Sequence, residues 1–123
     1  MKKTASNADL KAILDILTDI IRNDKSRWPV RVGFRIVQNV EALTAATSAY
    51  LNERSGIINS FSPSGKIAPG DPGYEDCLAQ IKELDELETD VEVQPILWDD
   101  MKDLEIPLKQ LVGLQFFLDE EIV

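Results

Sequence analysis

The residues that could do chemistry are few. The chain contains no histidine and one cysteine, Cys77, in 123 residues. Without imidazole there is no ordinary general base near pH 7. One thiol and no histidine cannot complete a structural zinc site, and Ser–His–Asp and Cys–His catalysis are excluded. What remains is carboxylates, lysine, tyrosine and the lone thiol. One arrangement of these has a catalytic spacing: Asp90, then Asp100-Met101-Lys102. An acid followed by (D/E)-x-K can hold Mg²⁺ on carboxylates while the lysine steadies developing charge, as in many restriction-type nucleases. Against it, Asp99 begins a short helical turn, where Asp is a routine cap, and such nucleases carry the second half of this motif on a central strand, whereas here only one strand is visible. In a chain with 22 acids the pattern arises readily by chance. A Mg²⁺-dependent nuclease is therefore the last-ranked reading, and the chain is expected to be non-catalytic, with no metal or cofactor.

Three other clusters suit recognition. Arg27, Arg31 and Arg35 recur every four residues beside Trp28, in a chain of formal net charge −9. On a helix they share one face, with the indole placed to stack beneath a guanidinium. They can pair with the chain's own acids, grip an acidic partner, or hold phosphates. The last has to overcome the field of an acidic molecule, so direct nucleic-acid binding is not expected. The acidic run containing Glu83, Glu86, Asp90, Asp99 and Asp100 can be a solvated face or an imitation of duplex phosphates. Near the C-terminus, "LQFFL" has more apolar residues than one helix face buries. Phe116 is expected to turn outward and, with Phe117, to form an apolar anchor for a partner or a second copy.

The elements that must position these groups are mostly helical. "SNADLKAILDILTDIIRND" carries an apolar stripe at Leu10, Ile13, Leu14, Leu17, Ile20 and Ile21, with Ser6 or Asn7 as its cap. Pro29 suits the first turn of a second helix, and Ile36, Val40, Leu43, Thr47, Tyr50, Arg54, Ile57 and Phe61 continue a seam across 30–61. That helix would be about 45 Å long at ~1.5 Å per residue. Arg54 in the seam is expected either to meet Glu83 or Asp76 across a hairpin or to snorkel at its edge. "SPSGKIAPGDPG" is a loop, about 62–73. A third helix follows, capped by Asp71, with Tyr74, Cys77, Leu78, Ile81, Leu84 and Leu87 as its stripe. "TDVEVQPIL" alternates with period two and reads as an edge strand or extended arm. "WDDMKDL" reads as a short helical turn and "PLKQLVGLQFFLD" as the last helix.

The expected fold is mainly α: a long helical hairpin with flanking N- and C-terminal helices and one short extended segment, in a single domain over 1–123. No apolar run reaches the ~20 residues of a membrane span. "MKKTAS" lacks the apolar core of a secretory signal. A lone cysteine fits a reducing compartment, so a cytoplasmic location is expected. The charges are segregated: residues 1–66 carry ten Lys/Arg against six Asp/Glu, and residues 67–123 carry three against sixteen. The first part is basic by four and the second acidic by thirteen.

The N-terminal amphipathic helix, the "PVRVGFRIVQNVEAL" start of a long helix and the stretch "GYEDCLAQIKELDELETDVEVQPILWDDMKDLEIPLKQLVGL" together resemble an uncharacterised family of small phage and prophage proteins. The resemblance rests on element order and apolar spacing over most of the chain. It implies a phage origin and an interaction role, and transfers no site residue. Host cytoplasm would then be the location, and a host or phage protein the partner. The leading reading is a non-catalytic protein-binding protein. Its alternatives are an acidic inhibitor that mimics DNA and a small virion or assembly component forming homo-oligomers.

Overall fold

The structure is a computed structural model that describes residues 1–23 and 28–118. It is mainly α, as the periodicity predicts, with one small antiparallel sheet. Strand β1 (Lys2–Ser6) leads directly into helix α1 (Asn7–Asn23); helix α2 (Val30–Phe61) and helix α3 (Tyr74–Glu86) follow, then strand β2 (Glu88–Glu92) and helix α4 (Leu108–Leu114). Short 3₁₀ turns span Trp98–Asp100 and Gln115–Phe117.

Helix α1 forms for the reasons its sequence gives. The Ser6 hydroxyl accepts from the Asp9 backbone N–H at 3.1 Å, capping the first turn, and Asp9 sits at the positive end of the helix dipole. Leu10, Leu14, Leu17 and Ile20 are buried, each worth about 1.5–3 kcal/mol of removed apolar surface. They pack against Val32, Ile36 and Leu43 of α2 and Leu114 and Phe117 at the C-terminal end, in one core that also takes in Val91, Val93, Ile96 and Met101.

The seam of α2 differs from the expected one. Its buried positions are Val32, Ile36, Asn39, Leu43, Thr47 and Tyr50, and none follows Tyr50. Ile57 and Phe61 are half-buried, and Arg54 is exposed. Arg54 therefore does not meet Glu83 or Asp76 across a buried seam. It lies beside the Tyr50 hydroxyl, which donates instead to Asp85 at 2.6 Å. The far turns of α2 run beside α3, from Gly73 at Phe61 to Asp85 at Tyr50, but lie beyond the main core, which takes in α2 residues only from Val32 to Ala46. On α3 only Cys77 and Ile81 are buried, and Leu78 and Leu87 stay exposed.

The loop from 62 to 73 turns on Gly65, Gly70 and Gly73, all with positive φ. Gly73 (φ 79°) stands immediately before α3, where the expectation had placed Asp71 as the cap. A Cβ there would come within 2.8 Å of the Phe61 ring, so glycine is required both by conformation and by the close approach of α2.

Strand β1 was not expected. "KKTAS" is short and polar, and its partner lies more than 80 residues away: Lys2 pairs with Glu92, Thr4 with Asp90 and Ser6 with Glu88. The last helix is also shorter than expected. After Leu114 the chain tightens into a 3₁₀ turn and then extends, so that Leu118 bridges Ile96 in parallel.

Candidate functional site

The extended arm, residues 88–97, is held to the helices by two buried asparagines. The Asn39 side chain is fully buried; its amide donates to the Gln94 carbonyl at 3.0 Å, and its oxygen accepts from the Gln94 N–H at 2.7 Å. One side chain thus imitates the partner strand that residue 94 lacks. Asn7 does similar work at the other end. Its amide donates to the Leu84 carbonyl at 3.0 Å, its oxygen accepts from the Thr89 hydroxyl at 2.7 Å, and its backbone N–H donates to Leu87 at 2.8 Å.

The fixed arm decides where the basic cluster points. Arg31 reaches Asp100 at 3.4 Å while remaining 72% exposed, and Arg35 donates to Gln38 and Gln94, both at 3.1 Å. Together with Val32, Pro95, Ile96, Leu97 and Asp100 they line a small cleft of about 140 Å³. Arg27 lies outside the described residues. Trp28 corrects an expectation: it is buried in the core, so it does not present its ring beside the arginines to an outside partner. It forms the floor of a different feature.

That feature is an apolar groove of about 300 Å³ between the end of α1 and the first turns of α2, lined chiefly by Ile20, Ile21, Trp28, Val30, Phe34 and Val37. Val30, Phe34 and Val37 are 89%, 59% and 40% exposed. Spaced at i, i+4 and i+7, they form one face of α2 that the described residues leave uncovered. The sequence reading missed this face because it followed the single Ile36–Leu43 seam. The signal was present, since Val30, Phe34 and Val37 lie well away from that seam in angle at ~100° per residue.

The acidic residues are brought together less than their clustering in sequence suggests. Asp90 pairs with Lys2 at 3.2 Å and accepts from the Thr4 hydroxyl, and these two contacts, the hydroxyl first, hold its carboxyl below the ordinary range. Asp99 faces Lys102 at 3.6 Å, and Asp100 faces Arg31. Glu83 and Glu86 are exposed on α3. The row is thus interrupted by cations from β1 and α2 and is not a bare ladder of charge. Asp90 and Asp100 of the nuclease-like pattern are engaged separately, by different elements, and Met101 between Asp100 and Lys102 is buried in the core. Among the described residues no group of three or more acids and cysteine is gathered as a metal ion would require. Cys77 is buried on α3.

Phe116 and Phe117 are also corrected. Phe117 is fully buried, and its carbonyl accepts from the Ile96 N–H at 2.8 Å, which fixes the 3₁₀ turn to the arm. Phe116 is half-buried against the same core, edge-on to Phe117 with ring centroids 5.2 Å apart. Neither projects as an anchor. Gln110 is buried on α4, while Leu108 and Val112 are exposed. No known protein family, curated protein or solved structure matches the chain. Among the described residues no helix is long and apolar enough to cross a membrane.

Proposed function

We propose that this is a non-catalytic protein-binding module that docks another protein on the Val30–Phe34–Val37 face of α2. A phage origin belongs to the same proposal, on the strength of the sequence resemblance, with a bacterial cytoplasmic protein as the partner. The observation that carries the reading is the uncovered groove: three large apolar side chains on the two opening turns of a rigid helix, over a floor of buried Ile20, Trp28 and Ile36. Leaving such a face in water forfeits burial worth about 25 cal/mol per Å², which a partner recovers. A contiguous apolar patch rimmed by polar groups is the usual mark of an interaction site.

The test is site-specific photo-crosslinking in host lysate. A crosslinker at position 34 should give one discrete adduct. The same group at position 53, exposed farther along α2, should give none. Absence of an adduct at 34, or equal labelling from both positions, discards the reading.

A further inference from the structure

The docking face has a chemical bias that narrows its occupant. We propose that the α1–α2 groove receives an acidic, amphipathic helix of a partner protein, its apolar residues in the groove and its carboxylates over Arg31 and Arg35. This rests on the docking reading above and adds the partner's class.

Shape argues for a helix. The groove runs between two packed helices, and Val30 to Val37 covers about 10 Å of α2 at ~1.5 Å per residue. Two adjacent helices leave a furrow that a third fills with apolar side chains one turn apart, the helix-in-groove mode of recognition. Charge argues for acid. Going around α2 from Phe34, away from α1, the next positions are Gln38, Arg31 and Arg35 at ~100° per residue. Asp100 occupies Arg31 on one side only, at 3.4 Å, and the contacts of Arg35 are two neutral amide oxygens. Each guanidinium carries five N–H donors, so both retain capacity for an incoming carboxylate. The rest of the chain brings the molecule to −9, so an acidic helix is repelled elsewhere and admitted here, which sets its orientation.

Other occupants fit less well. A nucleic acid would meet Ile20, Ile21, Val30 and Val37, which offer nothing to base edges. A second copy would need an acidic helix with two apolar residues a turn apart. In α3 only Leu78 is exposed among the stripe residues on the helix itself, with Ile81 buried and Lys82 basic one turn on. On α4, Leu108 and Val112 are exposed, but the element is seven residues long and carries Lys109 between them.

The experiment titrates the ¹⁵N-labelled full chain with two synthetic 16-residue helical peptides. Both carry leucines at i and i+4; one is flanked by Glu, the other by Lys. A 16-base-pair DNA duplex is the third probe. The Glu peptide should shift amide resonances of residues 28–38, bind at least tenfold more tightly than the Lys peptide and weaken with added salt. Phe34→Glu should cost at least tenfold, and Arg31→Ala with Arg35→Ala should erase the preference for Glu over Lys, with core resonances unmoved. Equal binding of both peptides at 28–38 overturns the acidic-helix proposal and leaves the docking face standing. Shifts confined to other residues, tighter binding of the duplex, or a dimer in light scattering that buries Val30–Val37 overturns it too. Loss of all peptide binding together with no crosslinked adduct at position 34 removes both readings.

Discussion

Asn39 is a polar residue inside an apolar seam, and its surroundings show why it is tolerated there. Both halves of its amide are used by the Gln94 backbone, so replacing it removes the partner of a half-buried N–H and C=O and leaves a void where a fully buried side chain stood. Asn39→Ala should lower stability by about 2–4 kcal/mol, read as a lower urea midpoint with an unchanged slope. Tyr50 makes a pH prediction. Burial first, and then its hydrogen bond to Asp85, raise the phenol above its ordinary 10.0. The folded state then holds a proton that the unfolded state releases. This contribution is complete below pH 10.0 and is lost as pH rises from there through the raised folded value. Tyr50→Phe should flatten that alkaline decline, and an identical decline in both proteins would contradict it. Asp90 has the opposite sign. Its folded value lies below the ordinary 3.8, so its contribution is complete above that pH and disappears as pH falls through the folded value. Thr4→Val should raise the Asp90 carboxyl in an NMR titration. None of these roles was legible in the sequence, because an asparagine or tyrosine shows its partner only once a distant segment is in place.

At the level of elements, what was legible followed from local periodicity. The bounds of α2 and the stripe of α1 come from apolar spacing within one segment, and Ser6 announces the start of α1. The pairing of β1 with β2 was not legible: it joins a polar pentapeptide to a segment more than 80 residues on, and nothing local in "KKTAS" specifies it. The groove was hidden for a different reason, since a helix with two apolar faces yields one seam to a search for one. Two predictions belong here. A Cβ on Gly113 would fall 2.6 Å from Ile16 Cγ2, so Gly113→Ala should force α4 off α1 and cost about 1–3 kcal/mol in thermal unfolding. Trimming Ile16 to Ala in the same chain should recover part of that loss if the close approach is its cause. Along α2, amides of 51–61 should exchange with deuterium faster than those of 32–50, because no buried side chain follows Tyr50.

Taken whole, the molecule ties its basic first half to its acidic second half through the arm. Met1 accepts from Val93, β1 zips onto β2, Asn39 grips Gln94, Arg31 meets Asp100 and Leu118 closes on Ile96. A fragment ending at Leu87 keeps α1, α2 and α3 but lacks Val91, Val93, Ile96, Met101, Leu114 and Phe117 from the core. It should retain helical far-ultraviolet dichroism without a fixed near-ultraviolet signal, and cooperative thermal unfolding of that fragment would contradict this. The double grip of Asn39 on residue 94 also has a consequence for birth on the ribosome. When α2 has left the exit tunnel, the backbone it must clasp has yet to emerge, so the nascent chain carries a greasy, half-made bundle until its final third is out. Such a chain invites chaperones while it is being made, and slowing translation before codon 88 should lengthen that exposure without hastening the fold.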